Sequence, residues 1–164
     1  MKRIVAGAVV ALGLLAAAPA AFAADYSVIK LETIVDAPID KTWAKVGPYC
    51  AIADWIKRLA PCNLTGDGGV GSIRKIGPNG SIVEVLVAAT KYSYTYAQPN
   101  NAILYHGTLA AEPLDGGKKT KLLYTLIYDQ EPDGAQEAKD KDRAGRTTNF
   151  TAALATMKAL AEAK

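Results

Sequence analysis

The sequence is poor in the side chains that bind metal ions and in the motifs that bind nucleotides. Its 164 residues include one histidine, His106, and two cysteines, Cys50 and Cys62, fewer Cys and His ligands than a common structural zinc site uses. Neither the G-x-S-x-G motif of serine hydrolases nor the G-x-x-x-x-G-K-[ST] phosphate loop occurs. We therefore expect no metal and no cofactor. The one histidine, His106, is expected to point outward, because it is out of phase with the inward positions of its predicted strand.

Charge of either sign is also scarce. Charged residues make up 21% of the chain, hydrophobic residues make up 50%, and the net charge is +3, a composition typical of a globular domain. No stripe of Lys and Arg is available to follow a phosphate backbone, so we expect no nucleic acid as a partner. The length favours a single domain with one hydrophobic core.

The first 23 residues have the three parts of a secretory signal peptide. Met1-Lys2-Arg3 is a basic start, residues 4–18 are apolar and uncharged, and Ala21-Phe22-Ala23 offers small residues for cleavage. The alternative, a membrane anchor, needs about 20 apolar residues, so we expect cleavage and no stable membrane anchor. We predict an exported protein of the bacterial periplasm, with one domain over residues 24–164 and a net charge that falls to +1 when Lys2 and Arg3 are removed.

Export changes the interpretation of the two cysteines. Cys50 and Cys62 are twelve positions apart, and disulfides persist in an exported protein. We predict a disulfide between them. Two buried free thiols are the alternative, and a count of free thiols separates the two interpretations.

Hydrophobic periodicity predicts an α+β fold. Residues 26–35 alternate as a strand, the turn at 36–40 opens a short helix, and a second helix follows over 51–59. After a loop at 65–69, short strands separated by tight turns indicate an antiparallel meander. Its strands are predicted over residues 71–76, 82–89, 92–98, 103–112 and 120–129.

The C-terminal part predicts a long helix. Phe150, Leu154 and Met157 recur at steps of three and four residues in a segment that begins at Arg143. The polar residues 131–142 before it are interpreted as a mobile loop or a frayed helix start.

Five local sequences follow one another in a characteristic order. They are APIDKTW at 37–43, ADW at 53–55, GSIR at 71–74, GSIVEV at 80–85 and YTLIYD at 124–129. In this order they resemble the helix-grip (START-like) superfamily, which includes polyketide cyclases/dehydrases, lipid-transfer proteins, abscisic-acid receptors and pollen allergens.

The resemblance implies a curved antiparallel sheet of about seven strands around a long C-terminal helix, with two short helices after the first strand. A ligand cavity is expected between the sheet and the C-terminal helix. The most similar branch consists of small exported bacterial proteins, including a periplasmic accessory protein of methanol oxidation, which leaves a periplasmic protein partner open. In that branch His-Pro follows the tryptophan of the second helix, whereas Ile56 and Lys57 follow Trp55 here.

Alternation along two neighbouring strands points Arg74 inward on the first and Ile82, Glu84, Leu86 and Ala88 inward on the second. An unpaired buried carboxylate is costly, so we expect Arg74 to be the partner of Glu84. The resemblance implies the same, since abscisic-acid receptors carry an Arg and a Glu facing their pocket at these places. The pair is interpreted as a polar anchor in the pocket, with an ion pair that only fixes the sheet register as the alternative.

Tyrosines and the closing helix supply the other candidates. Alternation points Tyr105, Tyr124 and Tyr128 inward, and the first two match pocket positions of the receptor branch. Three further tyrosines on one strand are expected to include half-exposed ones. The complete set of candidate ligand-binding residues is Arg74, Glu84, Tyr105, Tyr124, Tyr128, Trp55, Ile56, Asn149, Phe150 and Ala153.

Two functions remain open at this stage. The first is a binding module for a small apolar or aromatic molecule that bears oxygen. The second is a cofactor-independent cyclase, dehydratase or lyase, in which Glu84 is the general acid or base and Tyr105 or Tyr124 donates a proton or stabilises an oxyanion. A guanidinium close to Glu84 favours its charged form, and this consideration favours the binding module.

Overall fold

Seven strands form one antiparallel sheet in the computed structural model, which describes residues 25–163. The strands are β1 (Tyr26–Val35), β2 (Cys62–Thr65), β3 (Ile73–Ile76), β4 (Ile82–Thr90), β5 (Ser93–Ala97), β6 (His106–Leu114) and β7 (Lys119–Asp129). Their order across the sheet is β1-β7-β6-β5-β4-β3-β2, so β2 to β7 form a meander and β1 pairs with β7. The predicted signal peptide over residues 1–23 lies outside the described residues.

Three α-helices accompany this sheet within residues 25–163. They are α1 (Ile39–Val46), α2 (Ile52–Trp55) and α3 (Gln136–Glu162). α3 is long enough to span about 40 Å, and it packs against β1 and α1. The predicted helix-grip architecture, with a curved sheet around a long C-terminal helix and short helices after the first strand, is confirmed.

The core lies between the sheet and α3. On β7 every second side chain is buried, and these are Thr120, Leu122, Tyr124, Leu126 and Tyr128. On α3 the buried side chains recur at helical spacing, and these are Ala153, Leu154, Met157 and Ala161. The period of two on the strand and of three to four on the helix is what brings the two apolar surfaces together.

Two boundaries differ from the sequence prediction. β2 pairs with β3 at one edge of the sheet, whereas the sequence predicted no strand there, because the polar edge segment Asn63–Thr65 is too short to show alternation. The predicted second helix over 51–59 is divided, because the backbone of Ile56 leaves helical geometry (φ −128°, ψ 82°) between α2 and a 3₁₀ turn at Lys57–Leu59.

Of the two interpretations of residues 131–142, a mobile loop or a frayed helix start, the helix start describes the segment from Gln136 onward. A 3₁₀ turn covers Glu131–Asp133, and α3 begins at Gln136. The start of α3 is attached to β1, since Lys139 Nζ lies 2.7 Å from the carboxylate of Asp25. This part of the helix is polar and mostly exposed, so it carries no apolar stripe from which a helix could be predicted.

A β-bulge overturns one predicted inward position. Strict alternation placed Ile82, Glu84, Leu86 and Ala88 on one face, but the pairing of β4 with β5 shifts between Leu86 and Ala88. Ala88 is therefore exposed, while Glu84 and Leu86, which precede the bulge, are buried. An extra residue reverses the alternation of every position after it.

Side chains from α3 close the outer edge of β1. Arg143 Nη2 donates a hydrogen bond to the carbonyl of Val28 at 2.9 Å, and Lys158 Nζ donates one to the carbonyl of Ile34 at 2.6 Å. At the opposite edge the Cys50–Cys62 disulfide joins β2 to the segment before α2, which confirms the predicted bond.

Candidate functional site

Arg74 and Glu84 are direct cross-strand partners on β3 and β4. Both side chains are buried, with 0% and 2% of their surface exposed. Arg74 Nε donates to Glu84 Oε2 at 2.6 Å, and Arg74 Nη2 lies 2.6 Å from the same oxygen. The sheet register therefore brings together the two side chains that the sequence analysis expected to pair.

Each member of this pair has additional partners. Gln98 Nε2 donates to the second carboxylate oxygen of Glu84 at 2.8 Å. Arg74 Nη1 donates to the backbone carbonyl of Tyr49, and its guanidinium carbon lies 4.2 Å from the centre of the Tyr49 ring, a cation–π geometry. A buried ion pair is tolerated when its remaining donors and acceptors are satisfied in this way.

A layer of tyrosines covers the inner face of the sheet beside this pair. We call Tyr94, Tyr96, Tyr105, Tyr124 and Tyr128 the tyrosine layer, and each of them is at most 4% exposed. The ring centres of Tyr96 and Tyr105 are 6.1 Å apart, and those of Tyr105 and Tyr128 are 6.2 Å apart. The hydroxyl groups of Tyr96 and Tyr124 share a hydrogen bond of 2.9 Å.

The phenols of the tyrosine layer are neutral. Burial raises the pKa of Tyr96 and Tyr124 well above the ordinary value, and it also raises the pKa of Tyr94, Tyr105 and Tyr128. The hydroxyl groups can donate and accept hydrogen bonds, but they are poor sources of protons. Their chemistry suits the recognition of oxygen atoms better than proton transfer.

Several buried polar atoms have no well-formed hydrogen bond with the protein atoms of residues 25–163. They are the hydroxyl groups of Tyr49, Tyr94 and Tyr128, Trp55 Nε1, and Arg74 Nη2. Arg74 Nη2 lies 2.6 Å from Glu84 Oε2, the same oxygen that accepts the hydrogen bond from Arg74 Nε. It is not aligned to donate a second hydrogen bond to that oxygen. Tyr94 has Arg74 as a polar neighbour, and Tyr128 has Ser27 and Asp142. A buried donor without an acceptor costs about 1–3 kcal/mol, so the Trp55 indole N–H marks a place where an added acceptor would be stabilising.

Two adjoining depressions lie along α3. The outer cleft, of about 570 Å³, is lined by Arg58, Ala138, Lys141, Asp142, Gly145, Arg146, Asn149 and Phe150. The adjoining groove, of about 270 Å³, is lined by Trp55, Ile56, Lys57, Arg58, Asn149, Ala152, Ala153 and Thr156. Arg58 and Asn149 belong to both depressions, which are therefore contiguous.

Three side chains connect these depressions with the tyrosine layer. The guanidinium carbon of Arg146 lies 4.4 Å from the ring centre of Tyr128. The ring centres of Phe150 and Tyr124 are 4.7 Å apart, and those of Trp55 and Tyr124 are 6.0 Å apart. The floor of the outer cleft and of the groove is thus in contact with the tyrosine layer.

The ten candidate residues from the sequence fall into two groups. Trp55, Ile56, Asn149, Phe150 and Ala153 line the outer cleft or the groove. Arg74, Glu84, Tyr105, Tyr124 and Tyr128 are buried beneath and line neither depression. The expected hollow is therefore filled at its inner end by tyrosine rings and by the ion pair, and it is open only at its outer end.

Sequence reasoning missed several residues of the site. Tyr92 is half-buried, as expected for some tyrosines of that strand, whereas Tyr94 and Tyr96 are 3% and 1% exposed; their alternation with Thr95 was the available signal. Gln98 was also missed, although the predicted strand 92–98 placed it in phase with Tyr94 and Tyr96. Arg58 and Lys141 carry no sequence signal, since each is one exposed cation among many.

Residues 25–163 contain no group of three or more His, Cys, Asp or Glu side chains placed to hold a metal ion. His106 is exposed, and its Nδ1 lies 2.7 Å from the carbonyl of Leu104. In the same part of the chain no helix has both the length and the apolar character needed to span a bilayer.

Comparison with known proteins assigns the fold to a family. The family model described as polyketide cyclase / dehydrase and lipid transport matches residues 28–162. Among solved structures, the chain is similar to the Zhui aromatase/cyclase from Streptomyces sp. R1128, with 20% identity, a TM-score of 0.64, and coverage of 84% of this chain and 94% of that chain. No curated protein matches this chain.

Two further solved structures illustrate the range of this fold. A truncated norcoclaurine synthase from Thalictrum flavum has 20% identity and a TM-score of 0.65, with coverage of 88% of this chain and 99% of that chain. The protein XoxI from Bacillus cereus has 15% identity and a TM-score of 0.62, with coverage of 82% and 93%. At these identities the likeness shows the fold alone.

Proposed function

Because this chain belongs to the polyketide cyclase / dehydrase and lipid transport family, we propose that it is an exported protein that binds a small aromatic or apolar molecule bearing oxygen acceptors. The ligand lies between α3 and the segment formed by α2 and the 3₁₀ turn after it, in the outer cleft and the adjoining groove. Its oxygen atoms meet donors at the floor of these two depressions.

The observation that carries the proposal is an unpartnered donor at this floor. Trp55, which lines the groove, has an indole N–H without a partner among residues 25–163. An oxygen-bearing ligand would satisfy this donor, whereas a pure hydrocarbon would leave it unpaired.

The size of the site supports a small ligand. The outer cleft alone, at about 570 Å³, lies within the range of roughly 300–1,000 Å³ that is usual for small-molecule pockets. Phe150 and Trp55 supply aromatic surface, and Ile56 and Ala153 supply aliphatic surface. Binding pockets combine apolar surface with placed polar groups, and here the apolar surface lies beside polar side chains such as Arg58 and Asn149.

The electrostatics favour binding over the alternative cyclase, dehydratase or lyase. Both oxygens of Glu84 are engaged, one by Arg74 and the other by Gln98, so neither is free to take a proton from a substrate. Tyr105 and Tyr124 are phenols whose pKa is raised by burial, which makes them weak acids. Glu84 and Arg74 support the floor of the site in this proposal and do not react.

The proposal of export rests on two features. The N-terminal 23 residues have the pattern of a signal peptide, and the Cys50–Cys62 disulfide is of a kind that persists in oxidising compartments. In a bacterium this compartment is the periplasm. A periplasmic protein partner stays a prediction from the resemblance.

Thermal-shift measurement and native mass spectrometry test the proposal. Purified protein is screened against aromatic and fatty alcohols, ketones and acids, and we expect at least one class to raise the melting temperature and to be recovered with unchanged mass. The variant Trp55→Phe removes the unpartnered N–H and keeps an aromatic ring in the groove. It should weaken the binding of an oxygen-bearing ligand by about threefold to tenfold, the worth of one hydrogen bond.

The matched control is Tyr92→Phe, which removes the hydroxyl that donates to Asp40 of α1, away from both depressions. It should leave ligand affinity unchanged. Equal affinity of wild type and Trp55→Phe for the ligand would overturn the assignment of the Trp55 N–H to the site. Recovery of the ligand with altered mass, abolished in Glu84→Gln, would favour the enzyme.

A further inference from the structure

The outer cleft carries a charge pattern that defines the ligand more narrowly. We infer that the ligand is an anion, an aromatic or apolar carboxylate, whose carboxylate is held by Arg58 and Lys141 while its apolar body rests on Phe150. This inference rests on the proposed function, because it names the class of molecule that the same site takes.

The lining of the outer cleft has an excess of positive charge. Its charged residues are the cations Arg58, Lys141 and Arg146 and the single carboxylate of Asp142. Arg146 Nε is bound to Asp142 at 2.7 Å, so these two neutralise each other. Arg58 and Lys141 make no ion pair and no side-chain hydrogen bond within residues 25–163, which leaves two cations facing one depression.

The position of Arg146 separates its role from that of the two free cations. Its guanidinium lies over the rings of Tyr128 and Tyr105, at 4.4 Å and 5.4 Å from their centres, and Asp142 fixes it there. Arg146 therefore forms part of the floor. Arg58 comes from the 3₁₀ turn after α2 and Lys141 from the first half of α3, so they approach the cleft from two different elements.

Gly145 keeps the centre of the outer cleft open. It lies in the middle of α3, where glycine costs about 1 kcal/mol relative to alanine. A Cβ at this residue would meet no atom within 4 Å, and its φ is not positive. Neither close packing nor backbone conformation explains the glycine, whereas a side chain here would occupy the space between the two free cations and Phe150.

Calorimetric titration with a pair of probes tests the charge. 2-Naphthoate and 2-naphthamide have the same rings and nearly the same shape, but only the first is an anion. We expect 2-naphthoate to bind about tenfold more tightly, since hydrogen bonds to charged groups are roughly twice as strong as neutral ones. The double variant Arg58→Gln/Lys141→Gln should reduce this ratio to about one.

The matched control, Lys45→Gln/Lys75→Gln, removes the same charge from exposed positions outside the cleft and should keep the ratio. Equal binding of the two probes to the wild type would overturn the anion inference and leave the proposed function standing. Binding of neither probe would overturn both. A ratio that persists in Arg58→Gln/Lys141→Gln would also contradict the inference.

Gly145→Leu provides a second, independent test. Leucine is a better helix former than glycine, so the free variant should be at least as stable as the wild type. The leucine side chain fills the cleft, however, and should weaken the binding of 2-naphthoate by more than about tenfold. The control Ala144→Leu adds a leucine at the neighbouring exposed position, which does not line the cleft. Unchanged affinity in Gly145→Leu would exclude the outer cleft as the site.

Discussion

The ring of Tyr96 lies directly across the backbone of Gly107, its cross-strand partner on β6. A Cβ at residue 107 would lie only 2.3 Å from the hydroxyl oxygen of Tyr96. Glycine is therefore required here by the ring and not by the backbone conformation. This contact holds Tyr96 flat against the sheet, where its hydroxyl reaches Tyr124.

The first prediction concerns this contact. Gly107→Ala should lower the free energy of unfolding by about 1–3 kcal/mol, the usual cost of overpacking, because Tyr96 is buried and cannot move aside. The control is Gly145→Ala, which should raise stability by up to about 1 kcal/mol, since its new methyl group meets no atom. Urea denaturation measures both, and a neutral Gly107→Ala would contradict the close approach.

The second prediction concerns the buried ion pair. Arg74→Met leaves the Glu84 carboxylate buried without its cation, so the free energy of unfolding should fall by about 3–5 kcal/mol. Glu84→Leu should be similarly costly, because it leaves the Arg74 guanidinium unpaired.

The double variant Arg74→Met/Glu84→Leu should lose much less than the sum of the two single losses, because no buried charge remains. A double-mutant cycle by urea denaturation gives the coupling directly. Strictly additive losses would show that the two charges do not stabilise each other.

The third prediction concerns the disulfide. Reduction of Cys50–Cys62 opens a short loop and should lower the free energy of unfolding by about 3 kcal/mol. Backbone amides of β2 should then exchange with solvent faster, since β2 pairs only with β3. Denaturation and hydrogen exchange, each with and without reductant, measure these effects, and alkylation of two cysteines in the unreduced protein would exclude the bond.

The fourth prediction concerns alkaline pH. The raised pKa of each phenol in the tyrosine layer means that these groups stay protonated in the folded state to a higher pH than in the unfolded chain. Their contribution is complete below the ordinary tyrosine pKa of 10.0 and decreases as the pH rises above it.

The tyrosinate absorbance of these residues should therefore appear together with the loss of circular dichroism. A titration that follows both signals above pH 10 checks this expectation. If all tyrosines ionised while the circular dichroism stayed native, the tyrosine layer would have to be open to solvent.

The fold was largely predictable because most elements show their periodicity. β7 alternates without interruption, and the stripe of Leu154 and Met157 identifies α3. The start of α3 at Gln136 was not predictable from a stripe, because it carries only polar residues and is held by individual contacts such as that of Lys139 with Asp25. The bulge after Leu86 left no mark in the sequence either, so Ala88 was assigned to the wrong face.

The candidate site was predictable where it depends on the regular periodicity of a strand or a helix. Arg74 and Glu84 could be paired because they lie on neighbouring strands with inward phase. Arg58 and Lys141 could not be brought together from the sequence, because their shared cleft depends on how the 3₁₀ turn after α2 packs near α3. Long-range placement of exposed residues leaves no local pattern, and only coordinates bring such residues together.

The contacts of Arg143 and Lys158 with the carbonyls of β1 have a consequence for self-association. Exposed strand edges recruit strands from other molecules, and such recruitment leads to polymerisation. A strand approaching β1 from outside would find the acceptors of Val28 and Ile34 already engaged by side chains of the long helix. The helix that lines the outer cleft and the groove thus also covers the edge strand at which a second copy could join the sheet.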